Sequence, residues 1–224
     1  MYKYLLNKLK NNPQLFYFAT LVYNILHLNY PLRYVVTGKI KCKGVYFRHT
    51  SFDIRGEGSR VELERKTKLH NCSITIHGAN CSLHIGGGGK LINTSLWLED
   101  NDSSIIIGSR FTIESGHIAS TEGQSIVIGE DCMFSNDIEI RNGDSHAILD
   151  TGSNIRTNAA RKVIIGNHVW LTAHCRVLKG SVIPDDCVIG NSAIVSGQLE
   201  KSHAIYAGHP IKIVKENKTW SRKR

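Results

Sequence analysis

The chain has 224 residues, 41% of them hydrophobic, which supports one sizeable core with a small appendage and excludes a second full domain. Lys and Arg number 28 against 19 Asp and Glu, and the formal charge of +9 favours an anionic partner: nucleic acid, anionic lipid, acidic polysaccharide or a phosphate-rich cofactor. The 20 glycines against 4 prolines, without a collagen-like period, indicate tight corners, and the six cysteines lack CxxC or zinc-ligand spacing and read as reduced core residues.

Residues 1–40 form an N-terminal helical segment. Its apolar stretch LFYFATLVYNILHL is interrupted by Asn24 and His27, is too short to span a bilayer, and is not followed by a small-residue cleavage site. One or two helices are expected over residues 2–34, packed on the main body or on a neighbouring subunit. The competing reading is an amphipathic membrane-surface anchor, since Lys3, Lys8 and Lys10 lie beside Tyr4, Leu5, Leu6 and Leu9. From Val45 to Leu98 the chain is strand-like, with alternation in CSITIHG and CSLHIGG but no strict period, so irregular early coils are expected. The run GGGG at 86–89 reads as a corner and not a phosphate cradle, because no Lys-Ser/Thr and no helical pattern follow it.

A six-residue period then sets in. Ile165, Leu171, Val177, Ile183, Ile189 and Val195 are an unbroken aliphatic series, and four residues after each stand Val169, Cys175, Ser181, Cys187, Ala193 and Leu199. The same register runs through Ile107 and Ile113, and through Ile128, Phe134 and Ile140. An α-helix cannot keep both series on one face, whereas short strands joined by corners can. Three hexads make a triangular turn of about eighteen residues, and stacked turns bury the columns as one core. The expected fold is an all-β solenoid of parallel strands over residues 41–215, followed by a solvated basic tail at 216–224 that includes Arg222, Lys223 and Arg224. Between Ile140 and Ile165 the period fails in RNGDSHAILDTGSNIRTNAARKV, which therefore leaves the coil as a protruding loop.

The segments RNGDSHAI, IIIGNHVWL, VLKGSVIP and AGHPIKIVKEN resemble the hexapeptide-repeat O-acetyltransferases, among them the group that acetylates sialic-acid capsules and other surface polysaccharides. The resemblance covers about the last 120 residues well, and the first hundred by architecture only. It implies a left-handed β-helix, a homotrimer with active sites in clefts between subunits, acetyl-coenzyme A lying along the coils, and no metal. It also implies His146 as the catalytic base and Trp170, 24 residues on, beside it at the acetyl-CoA site. A histidine suits that task because its ordinary pKa lets it take a hydroxyl proton and return it to a leaving thiolate. Asp144 orients the imidazole, contacts the sugar or holds the loop. Arg141, Asn142 and Ser145 are candidate acceptor contacts. Thr172, Lys179, Asn191 and Ser192 border the cofactor groove, and Lys212 and Lys215 match basic positions that meet nucleotide phosphates. Trp170 follows the inward Val169 and is expected to project outside the prism.

His168 and His174 read as structural or as substrate contacts, and His117 is a second candidate near the cleft. The leading functional expectation is acetyl transfer to a hydroxyl of a capsular or other surface glycan or its lipid-linked precursor, in the cytoplasm or at the inner membrane face. The departures from the family pattern are Thr172 in place of glycine and the link SGQLEKS. The alternatives are an N-acetyltransferase acting on a nucleotide-linked amino sugar and a non-catalytic basic solenoid scaffold. A nucleic-acid binder is disfavoured, because the lysines and aromatics form no recognition module.

Overall fold

A computed structural model of the chain describes residues 12–26 and 40–223. The readings that rest on Lys3, Lys8, Lys10, His27 and Arg224 lie outside the described residues.

Residues 40–207 wind into a parallel solenoid with three faces. The first face stacks seven strands, from Ile40–Lys41 to Val182–Ile183, and the third stacks seven, from Ser51–Ile54 to Ile194–Val195. The second face runs from Tyr46–Arg48 to Ala204–Ala207, and Lys212–Glu216 returns antiparallel along its edge. Every residue of the six-residue aliphatic series is buried, from Ile165 through Val195, together with Val169, Cys175, Ser181, Cys187 and Ala193. Each fully buried aliphatic side chain contributes about 1.5–3 kcal/mol, and the columns are continuous from coil to coil.

The early coils are not irregular. They are regular with a longer pitch in sequence: Ser51 pairs with Ser73 and Ser73 with Ser95, 22 residues apart, whereas Ile164 pairs with Val182 after 18. Strands there reach four or five residues, as in Arg60–Leu63 and Thr94–Leu98, and alternate inward and outward positions. Longer faces and corners replace the hexad, so a six-residue reading misses them. GGGG forms a corner of such a coil; a Cβ on Gly89 would lie 2.1 Å from the Phe111 ring.

The helix Pro13–Leu26 (α1) begins where Asn12 Oδ1 accepts hydrogen bonds from the amides of Gln14 and Leu15, with Pro13 in the first turn. Phe16, Thr20 and Asn24, four residues apart, form its buried stripe. Asn24, which breaks the apolar run in sequence, docks the helix: its Nδ2 donates to Val45 O at 3.0 Å and its Oδ1 accepts from Phe47 N at 2.9 Å. The side-chain amide thus stands in for a neighbouring strand at the open edge of the second face. The outward side of α1 carries exposed Leu15, Phe18, Leu21, Ile25 and Leu26.

The tail is solvated only in part: Lys223 is exposed, as read, but Trp220 and Arg222 dock on the solenoid. Trp220 is buried, its Nε1 donates to His168 O at 2.7 Å, and it stacks on the His168 ring at 4.2 Å. Arg222 reaches Asp131 Oδ1 at 3.0 Å and Thr112 Oγ1 at 2.8 Å. The docked tail places an indole that anchors it, which charge counting passed over.

Candidate active site

The register on the first face jumps once: Ile126 pairs with Val163, 37 residues on. The extra residues, 142–162, leave at the corner between the third and first faces as the loop expected from the broken period. They are tied down at several points. Asn158, buried, is the hub: its Oδ1 accepts from Ile148 N at 2.7 Å and Arg156 Nε at 3.1 Å, and its Nδ2 donates to Asp144 Oδ2 at 2.9 Å and His146 O at 2.7 Å. Arg156 makes a two-pronged ion pair with Glu122, at 2.6 and 3.1 Å, and Ala160 N donates to the same carboxylate. The Arg156 guanidinium holds Glu122 below the usual carboxylate range.

His146 is exposed on this loop, just after Ser145, whose φ of +63° turns the chain. Asp144 does not orient its imidazole. Its carboxylate accepts from Lys179 and Asn158, and the hydrogen bond from Lys179 is the main reason its pKa is lowered. Of the three roles read for Asp144, this geometry is that of holding the loop. Lys179 also donates to Asn158 O at 2.9 Å, so its ammonium ties down the loop and is not free for a phosphate. Asn142 is fully buried and is not an acceptor contact: its amide joins Ser120 Oγ and Thr121 N across the corner, each at 2.9 Å. Arg141 and Ser145 line a cleft of about 230 Å³ together with Trp97, Glu99, His117 and Gly143. Burial is the first cause of the lowered pKa of His117, which favours its neutral form, and Arg141 adds to it.

Trp170 lies on the second face, paired with Met133 and Val188. It projects outward between the buried Val169 and Leu171, as expected, but is only half-exposed, with Trp220 of the docked tail 6.1 Å from it; its Nε1 is buried without a hydrogen-bond partner. None of the described contacts joins it to His146 within one copy. Thr172, Asn191 and Ser192 lie at the corner between the second and third faces; the Thr172 hydroxyl donates to Ile189 O at 2.7 Å, and Asn191 and Ser192 are exposed. Lys212 and Lys215 are exposed on the returning strand. His168 is held by Asp186 at 2.9 Å beneath Trp220, and His174 by Asp137 at 2.8 Å, which are structural placements. The six cysteines are free and buried; burial pushes Cys42, Cys72 and Cys187 up to about 11 and Cys132 up to about 12.

No family model matches the chain. Among known proteins it is 32% identical over 190 residues to the polysialic acid O-acetyltransferase of Neisseria meningitidis, spanning 75% of this chain and 88% of that one. The chain belongs to the polysialic acid O-acetyltransferase family. A second member, from Escherichia coli O1:K1, is 35% identical over 120 residues, 54% of this chain and 39% of its own length. Two solved structures of the family superpose on the solenoid. They are the polySia-specific acetyltransferase NeuO, with a TM-score of 0.63, 26% identity and coverage of 78% and 83%, and OatWY, with 0.56, 31%, 80% and 91%. AntD, an N-acyltransferase from Bacillus cereus, has a TM-score of 0.52 at 17% identity over 84% of this chain and 89% of its own, and shares the fold alone. The solenoid is accordingly a left-handed parallel β-helix, and the chain is an acyltransferase of this family.

The sequence reading passed over Asn158, Arg156, Glu122 and Trp97. The first two stand in the quoted loop itself, in SNIRTNAAR, but only the folded loop reveals them as its fastenings.

Proposed function

We propose that this protein transfers an acetyl group from acetyl-coenzyme A to a sugar hydroxyl of a capsular or other surface polysaccharide or its precursor, with His146 as general base. The observation that carries this reading is a single-loop insertion, bearing an exposed histidine and fastened by Asn158, Lys179 and Glu122, on the solenoid of a family whose named members acetylate polysialic acid. Bound acetyl-coenzyme A supplies an activated thioester carbonyl. An imidazole nitrogen of His146 takes the proton of the attacking hydroxyl and can return it to the departing thiolate, so no acyl-enzyme is required. The outward, half-exposed indole of Trp170 on the second face is the surface we assign to the donor substrate. Lys212 and Lys215, exposed and close in sequence on one strand, suit its phosphates.

The site is completed in a homotrimer. Within one copy the His146 loop stands at one corner of the prism and Trp170 on the opposite face, so a neighbouring copy is what can bring the two together. In this reading the reaction takes place in the cytoplasm, with the outward apolar side of α1 against the inner membrane face.

Incubation with labelled acetyl-coenzyme A and purified surface glycans tests the reaction. The expected product is a labelled glycan whose label is released by mild alkali. Alkali-stable label would indicate an amide and the N-acetyl alternative, and no label on any glycan would sink the proposal.

A further inference from the structure

The buried stripe of α1 is uneven: Phe16, Thr20 and Asn24 set an aromatic ring, a small side chain and an amide toward the first coil. Two of them hold the helix down. Phe16 meets Tyr46 edge-on at 5.8 Å and closes on Gly44, where a Cβ would lie 2.8 Å from its ring, and Asn24 bonds Val45 O and Phe47 N. Thr20, between them, lines a cavity of about 480 Å³ that opens between helix and coil, with Tyr17, Leu21, Cys42, Lys43 and Phe47 around it. Ligand pockets span roughly 300–1,000 Å³.

The interior suits hydrocarbon. The polar side chains on its inner walls are already engaged: the Thr20 hydroxyl donates to Tyr17 O at 2.9 Å, and the Asn24 amide is bound to the coil. Burial pushes the Cys42 thiol up to about 11, so it stays protonated and behaves as a small apolar side chain. A sugar or a nucleotide would bury its hydroxyls against these walls without partners, which is costly. The mouth is different. Lys43 is exposed there and makes no ion pair among the described residues, and exposed Phe18 and Leu21 stand beside it. An apolar slot with an unpaired cation at its mouth is complementary to an amphiphile with an anionic head. Exposed Leu15, Ile25 and Leu26 continue the apolar surface of the helix, as in helices that lie in a lipid interface, so a membrane lipid matches better than a free fatty acid.

We propose that this pocket takes up one acyl chain of an anionic phospholipid, with the lipid phosphate on Lys43. The proposal extends the membrane contact read for α1 and rests on that reading only for the source of the lipid.

Calorimetric titration of the full chain with dioctanoyl phosphatidylglycerol, kept below its micelle concentration, reads the pocket without a membrane. One lipid per chain is expected. Dioctanoyl phosphatidylcholine, whose choline cation opposes Lys43, should bind about tenfold or more weakly, and glycerophosphoglycerol, the head without chains, should not bind. Lys43→Ala, at an exposed position, should remove the preference for the anionic lipid, and Lys43→Arg should keep it. Leu21→Asp at the mouth should weaken both lipids with the circular dichroism unchanged. No uptake, as when residues of the chain itself or a second copy fill the pocket, would overturn the proposal. So would equal binding of the two lipids by the wild type, a preference that survives in Lys43→Ala, or tighter binding of octanoate than of the lipid. Flotation on vesicles is assayed separately. Uptake of the soluble lipid without flotation would sink the membrane contact of α1 and leave the pocket standing.

Discussion

An imidazole on an exposed loop can meet an attacking hydroxyl only if the loop holds it within hydrogen-bonding reach, and here Asn158 does so by accepting and donating on both strands of the loop. His146→Ala is expected to lower kcat by about 10² to 10⁴ with little change in KM for acetyl-coenzyme A, the usual worth of a positioned base. Asn158→Ala and Lys179→Ala keep the imidazole but release the loop that positions it, and kcat should fall by about 10- to 100-fold while the melting temperature of the solenoid changes little. Stopped steady-state rates beside thermal melts check this; an unchanged kcat in both would remove the fastenings from the account. The pH dependence of the tether has a definite sign. The folded-state pKa of Asp144 is lowered chiefly by Lys179, so its contribution is complete above the ordinary carboxylate value of about 3.9 and is lost as pH falls through the lowered one. Limited proteolysis of the loop should therefore be the same at pH 7 and pH 5, and cleavage that appears on going to pH 5 would contradict it.

At the scale of elements, the two ends of the solenoid are closed by different devices. Asn24 of α1 pairs with the backbone of the first strand of the second face, and removing it leaves Val45 O and Phe47 N without that partner. Asn24→Ala should cost about 1–3 kcal/mol, measured by denaturant unfolding. The exposed apolar side of α1 predicts flotation with anionic vesicles that is lost when Phe18, Leu21 and Ile25 are all replaced by serine, whereas the tether to the coil remains; equal flotation of the variant would remove the membrane role. The six-residue columns and the loop were legible in the sequence because an aliphatic residue at every sixth position has no other use. The 22-residue coils were not, since their inward residues vary in spacing at the corners, and neither was the docking of Trp220, which depends on a contact 52 residues away with His168.

For the whole molecule, His146 and the cleft were legible in part: Arg141 and Ser145 do line it, but Asn142, Lys179 and Asp144 turn out to serve the corner and the loop, roles set by contacts between coils that no local motif shows. The separation of His146 from Trp170 on the prism predicts that activity follows assembly. Light scattering should give about three times 25.0 kDa, and full activity at the mass of one chain would sink the inter-subunit site. The most direct test of the central claim is the initial rate of alkali-labile acetyl transfer from acetyl-coenzyme A to surface polysaccharide by the wild type and by His146→Ala, with both confirmed folded. The account predicts transfer by the wild type and a loss of about 10² to 10⁴ in the variant. A variant that keeps more than about a tenth of the wild-type rate would contradict it.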